Sequence, residues 1–156
     1  MSVSRIAISL RRDDVGGEVL PQPEVADASA LQAARHLVLL IHGYNNNFSE
    51  AVKAYNGFHA RQHEQDASEH YGSGRKFVEL YWPGDAAWGI ASFLFYMGSI
   101  DRARESATVL GGYLAECFPN AQVRIDIVAH SMGSRLALEL LRTLANYSQL
   151  QVARIV

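Results

Sequence analysis

The run Leu37 to Ile41 is unbroken apolar, and it constrains the fold more than any other feature of the chain. A strand that is apolar on both faces must be covered on both, as happens in a parallel sheet lying between helical layers. Three more apolar-rich runs follow, each interrupted by charged residues: Phe77 to Trp82, Val123 to Ala129 and Val152 to Val156. Helical patterns separate them. Ser49 is placed to cap a first helix that runs to about residue 65. Asp101 is placed to cap a second, in which Ala103, Ala107, Leu110, Leu114 and Cys117 recur at spacings of four and three until Pro119-Asn120 ends it. A third follows Ser131 directly, with Ala137, Leu140, Leu141 and Leu144 on one face and Arg135, Glu139 and Arg142 on another. This alternation predicts an α/β fold built on a mostly parallel sheet with flanking helices.

The N-terminus alternates apolar and polar residues through Ile6, Ile8 and Leu10, a strand pattern and not the continuous apolar core of a signal peptide. Residues 11–30 carry the turn formers Gly16, Gly17, Pro21 and Pro23. They read mostly as a connecting loop with a short edge strand at Val19-Leu20. The 156 residues fit one domain, and a hydrophobic content of 49% is ample for its core.

A formal net charge of -2 without a basic cluster argues against a nucleic-acid partner. Cys117 is the only cysteine, which excludes an internal disulfide and fits a reducing compartment. The apolar runs fall far short of the ~20 residues that a membrane-spanning helix needs. The expectation is a soluble, cytoplasmic protein.

In open parallel sheets, chemistry gathers at the carboxyl ends of the strands. Ala129-His130-Ser131-Met132-Gly133 stands at such an end, between a strand and a helix. A serine on so sharp a turn projects its hydroxyl above the sheet, and small residues two before and two after it let the chain turn. The free N–H groups at the helix start face the place where an oxyanion would form. Ser131 is therefore the candidate nucleophile, against the plainer reading that it caps a helix. His130 points elsewhere on such a turn and is read as a packing or hydrogen-bonding residue.

A second strand end carries His42-Gly43-Tyr44-Asn45-Asn46-Asn47. Gly43 lets the backbone turn, and a main-chain N–H just after it can face the same oxyanion as Met132 N–H. Losing one such donor costs ~3 kcal/mol of transition-state stabilisation. The plainer reading is an Asn-rich turn before a helix. A third end carries Tyr81-Trp82-Pro83-Gly84-Asp85, followed by Trp88, Phe93, Phe95 and Tyr96. This aromatic segment, with Trp82, Trp88 and Phe95 as the candidate substrate-binding residues, reads equally as an acyl-binding wall and as a helix packed on its neighbours.

The three motifs, in this order, resemble the alpha/beta-hydrolase superfamily, and most closely its esterase/lipase-like group of largely uncharacterised bacterial proteins. The residues that carry the resemblance are His42 to Asn46, Trp82-Pro83, Asp101 to Ser106 and Ala129 to Gly133, within a match over roughly residues 36–146. The resemblance implies a Ser-His-Asp/Glu triad with no metal and no organic cofactor. It also implies that Ser131 is the nucleophile and that Met132 and Tyr44 are the main-chain oxyanion donors, Asn45 being the close competitor of Tyr44.

The sequence departs from that pattern after the serine. The superfamily places its acid and histidine downstream, yet no histidine or aspartate follows Ser131, and Glu139 is the only acidic residue there. Eight residues at 1.5 Å each put Glu139 ~12 Å along the helix, between Arg135 and Arg142, where a surface ion pair is expected. His42 is the best-placed upstream substitute as a base, although the resemblance gives it a supporting role in the loop. The strand at Val152 to Val156 stands at the end of the sequence, before the elements that normally deliver acid and histidine. The expectation is an incomplete domain, lacking its C-terminal strands and helices, whose open strand edge and apolar face invite a partner chain or self-association.

Two functions are consistent with these features. One is a serine hydrolase acting on carboxylic esters or related small-molecule acyl compounds through a Ser131 acyl-enzyme, this chain being an incomplete and inactive part of it. The other is a non-catalytic binding or assembly module that keeps the hydrolase scaffold.

Overall fold

A computed structural model of the chain describes residues 5–12, 17–44, 47–65, 74–84 and 96–156. Six strands, β1 (Arg5–Arg11), β2 (Val19–Val25), β3 (His36–Ile41), β4 (Lys76–Tyr81), β5 (Val123–Ala129) and β6 (Leu150–Ile155), form one sheet in the order β2-β1-β4-β3-β5-β6. The β1–β2 pair is antiparallel and the remaining four pairs are parallel. The helices are α1 (Ala28–Gln32), α2 (Phe48–Gln65), α3 (Tyr96–Cys117) and α4 (Gly133–Leu144). The expected α/β class is what the structure shows.

The period-2 alternation of the strands divides the core in two. On one face, Leu37, Leu39 and Ile41 of β3 join Ile125 and Ile127 of β5 and the buried residues of α3 and α4. On the other, Val38 and Leu40 pack with Phe77 and Tyr81 of β4 against Ala51 and Tyr55 of α2. An apolar run in the sequence thus becomes a strand covered on both sides. Helix α4 buries Leu136, Leu140 and Leu144, each contributing roughly 1.5–3 kcal/mol by leaving water.

Local expectations needed four corrections. Strand β2 is seven residues long, so the described part of residues 11–30 is not mostly a loop, and α1 follows β2 closely. Pro21 and Pro23 hide this strand in the sequence, yet an edge strand pairs only one side of its backbone and tolerates missing donors on the other. The N-terminus of α2 is capped by Asn47 and not by Ser49. Asn47 Oδ1 accepts from Glu50 N (2.9 Å), and Glu50 Oε2 accepts from Asn47 N (3.0 Å), a reciprocal capping box. Asp101 lies inside α3, exposed and 3.4 Å from Arg104. Leu141 is off the buried stripe of α4 and 39% exposed.

Glu139 does form the expected ion pairs, with Arg135 (2.6 Å) and Arg142 (3.5 Å), but its carboxylate is buried and not on the surface. Strand β6 is an edge of the sheet among the described residues, with Ile155 and Val156 exposed. Among the described residues no helix is long and apolar enough to cross a membrane.

Candidate active site

Parallel pairing of β3 with β5 sets Ile41 beside Ala129, so both strands end together and their following loops meet. Ser131 stands on the second loop with φ 53°, the only non-glycine residue of positive φ among those described. That left-handed conformation costs roughly 1–2 kcal/mol for a residue with a Cβ, so the surrounding packing must impose it. The turn is tied down by His130 N donating to Ile41 O (3.1 Å), Gly133 N to His130 O (2.9 Å) and Ser134 N to Ser131 O (2.9 Å). Met132 is buried, whereas Ser131 is exposed and its hydroxyl has no hydrogen-bond partner among the described residues.

Two glycines allow the loops to approach. A Cβ on Gly133 would lie 2.5 Å from the carbonyl oxygen of His42 and 2.8 Å from that of Ile41. A Cβ on Gly43 would lie 2.8 Å from His130 Nδ1 and 3.1 Å from Ser131 Cβ. The Gly43 loop is therefore pressed against the serine turn, and Tyr44 follows it at once in the chain. Met132 N–H precedes the helical ladder of α4 and donates to no group among the described residues, leaving it available to an oxyanion.

His42 is buried behind this pair of loops. Its Nδ1 is 2.9 Å from Gly43 O, and its Nε2 accepts from Trp82 N at 3.3 Å. A carbonyl can only accept and a backbone N–H can only donate, so the ring is neutral with its proton on Nδ1. Both nitrogens are occupied by backbone just past the ends of β3 and β4, and neither bonds to Ser131. This arrangement suits His42 to brace the loop and argues against its expected role as a fallback base.

Trp82 also differs from expectation. It is fully buried, stacked on His42 with ring centroids 5.8 Å apart, and its Nε1 donates to His42 O (3.0 Å). An indole with its one donor satisfied inside the core has no face left for a substrate. Trp88 and Phe95, the other two residues expected to bind substrate, lie outside the described residues, as do Asn45, Asn46 and Asp85.

On the α2 side of the serine turn is a cleft of about 330 Å³, lined by Leu40, Ala54, Tyr55, Phe58 and Val128, with Arg61 and His130 also on its wall. Two histidine–carboxylate pairs occur among the described residues, His36–Asp126 (2.9 Å) and His59–Glu79 (3.2 Å). Both carboxylates sit within strands. Asp126 is five residues before Ser131, ~16 Å at 3.3 Å per residue, so this pair does not serve the turn.

Residues 22–156 match the family described as "Alpha/beta hydrolase of unknown function (DUF900)". The chain belongs to this family. The match includes both loops, their supporting His42 and Trp82, and every strand from β3 to β6, which makes the scaffold a hydrolase one. No curated protein and no solved structure matches the chain.

Sequence reasoning missed Tyr55, whose hydroxyl bonds to His42 N (3.0 Å). An aromatic residue on the buried face of a helix carries no sign in the sequence that its polar end has a partner. The only available signal was its place 13 residues after His42, on the helix that the same loop enters.

Proposed function

We propose that this protein is a serine hydrolase that cleaves carboxylic esters or related acyl compounds, with Ser131 as its nucleophile. The observation that supports the reading best is the joint geometry of the two loops: a serine at φ 53°, with Gly43 and Gly133 letting the loops close on it. In the reaction, Ser131 Oγ attacks the acyl carbon while a base takes its proton. The carbonyl oxygen, now anionic, accepts from Met132 N–H and Tyr44 N–H. Collapse of this intermediate expels the alcohol and leaves an acyl-serine. Water then attacks, releasing the acid and restoring the hydroxyl. The base is not His42, and no described histidine bonds to Ser131. The apolar cleft beside the turn supports acyl groups with a hydrophobic chain.

The test is hydrolysis of p-nitrophenyl esters of graded acyl length by the full-length protein. A burst of one equivalent of nitrophenol, followed by steady turnover and abolished by Ser131→Ala, is the expected result. Equal rates in the wild type and the variant would remove Ser131 from the reaction.

The absence of a base beside Ser131 among the described residues favours one second reading, a binding or assembly module on a hydrolase scaffold. Self-association through the open β6 edge belongs to that reading. It predicts no burst and a concentration-dependent mass in sedimentation.

A further inference from the structure

The hydroxyl of Tyr55 sits where the ends of β3 and β4 stop pairing. It accepts a hydrogen bond from His42 N at 3.0 Å, and it lies 2.9 Å from Leu40 O and 2.5 Å from Leu80 O. With one proton it donates to one of these carbonyls at a time, and with its lone pairs it satisfies the amide. The ring is held edge-on by Tyr81 (centroids 5.4 Å) and leans on the His42 imidazole (6.3 Å). Burial pushes its pKa well above that of an ordinary phenol, so it stays a neutral donor and acceptor.

His42 N–H is the first backbone donor after β3 ends at Ile41, and the next residue, Gly43, lies so near His130 and Ser131 that a Cβ on it would meet both. A phenyl ring would fill the same core space, but it would leave that amide buried and unsatisfied. The amide can recover a partner only if the start of the loop moves. A move there is transmitted to Tyr44, one residue beyond Gly43.

We propose that Tyr55 is a positioning residue for the oxyanion loop: through His42 N–H it fixes the backbone of His42, Gly43 and Tyr44 against the serine turn. This rests on the reading of Ser131 as nucleophile and adds to it a group, contributed by α2, that sets the geometry of the second oxyanion donor. The positioning role belongs to the Tyr55 hydroxyl; its ring is part of the cleft wall, and Tyr55→Phe keeps that wall.

The experiment compares Tyr55→Phe with the wild type in the full-length protein, using phosphonylation by a fluorophosphonate probe and amide hydrogen exchange. The maximal labelling rate is expected to fall roughly 10- to 100-fold, the range set by a misplaced donor, with the half-saturating probe concentration unchanged. Exchange at residues 42–44 is expected to accelerate while β5 and α4 keep their protection. Unchanged exchange at residues 42–44 would overturn the proposal, and so would faster exchange with an unchanged labelling rate. A wild-type protein that takes no label would instead sink the hydrolase reading, while the exchange comparison would still decide whether Tyr55 fixes the loop.

Discussion

Gly133 and the carbonyl of His42 are packed so closely that a methyl group on Gly133 would stand 2.5 Å from the oxygen. The contact joins the first residue of α4 to the loop after β3, across the site. Gly133→Ala pits two effects against each other. Alanine favours the helix by about 1 kcal/mol, but the clash is with backbone oxygens that have no rotamer to escape into. The clash wins. A net destabilisation of about 1–3 kcal/mol is expected in urea unfolding, together with loss of Ser131 reactivity.

Strain at Ser131 gives a second, separable signature. Ser131→Ala keeps a Cβ at φ 53°, whereas Ser131→Gly removes it. Both variants remove the hydroxyl, yet the glycine variant is expected to be more stable than the alanine variant by about 1 kcal/mol. Equal unfolding midpoints would show that the turn carries no strain.

Stability should also fall in acid, through Glu79. Burial pushes its carboxyl up, but hydrogen bonds from His59, Arg5 and Tyr81, with the Arg5 charge, outweigh this and hold it below the ordinary carboxylate value. A carboxylate whose pKa is lowered by folding stabilises the fold above its unfolded pKa, and that contribution is lost as pH falls through the folded one. The loss is expected from about pH 5 downward. Asp126, lowered in the same direction against its own burial by His36, adds to it. Glu79→Gln should therefore be less stable at neutral pH and show a shallower acid slope than the wild type. An unchanged slope would exclude Glu79 as a source.

The capping box at α2 makes a smaller prediction. Asn47→Ala removes the side-chain acceptor for Glu50 N and is expected to cost about 1 kcal/mol, measurable as a lowered Tm. Ser49→Ala, at the position the sequence suggested, should cost little.

The parallel sheet was legible in the sequence because β3, buried on both faces, writes itself as a continuous apolar run, and β4 and β5 stay apolar-rich around their few charged residues. The serine turn was legible because its constraint is local: a strand, a serine and a glycine within a few residues. Strand β2 was not, since its prolines are permitted only by its place at the edge of the sheet, which no local pattern records. Nor was the burial of Trp82 or the bracing role of His42, because both follow from contacts 40 residues apart. Glu139 shows the same limit: helical spacing identified its arginine partners, but not that its carboxylate is buried.

The central claim is that Ser131 is an activated nucleophile. The most direct measurement is to treat the folded, full-length protein with a fluorophosphonate and locate the adduct by mass mapping of its peptides. One phosphonyl group on the peptide that contains Ser131, absent after Ser131→Ala and after heat denaturation, is the predicted result. A folded protein that takes no adduct, or takes it at another residue, would contradict the account.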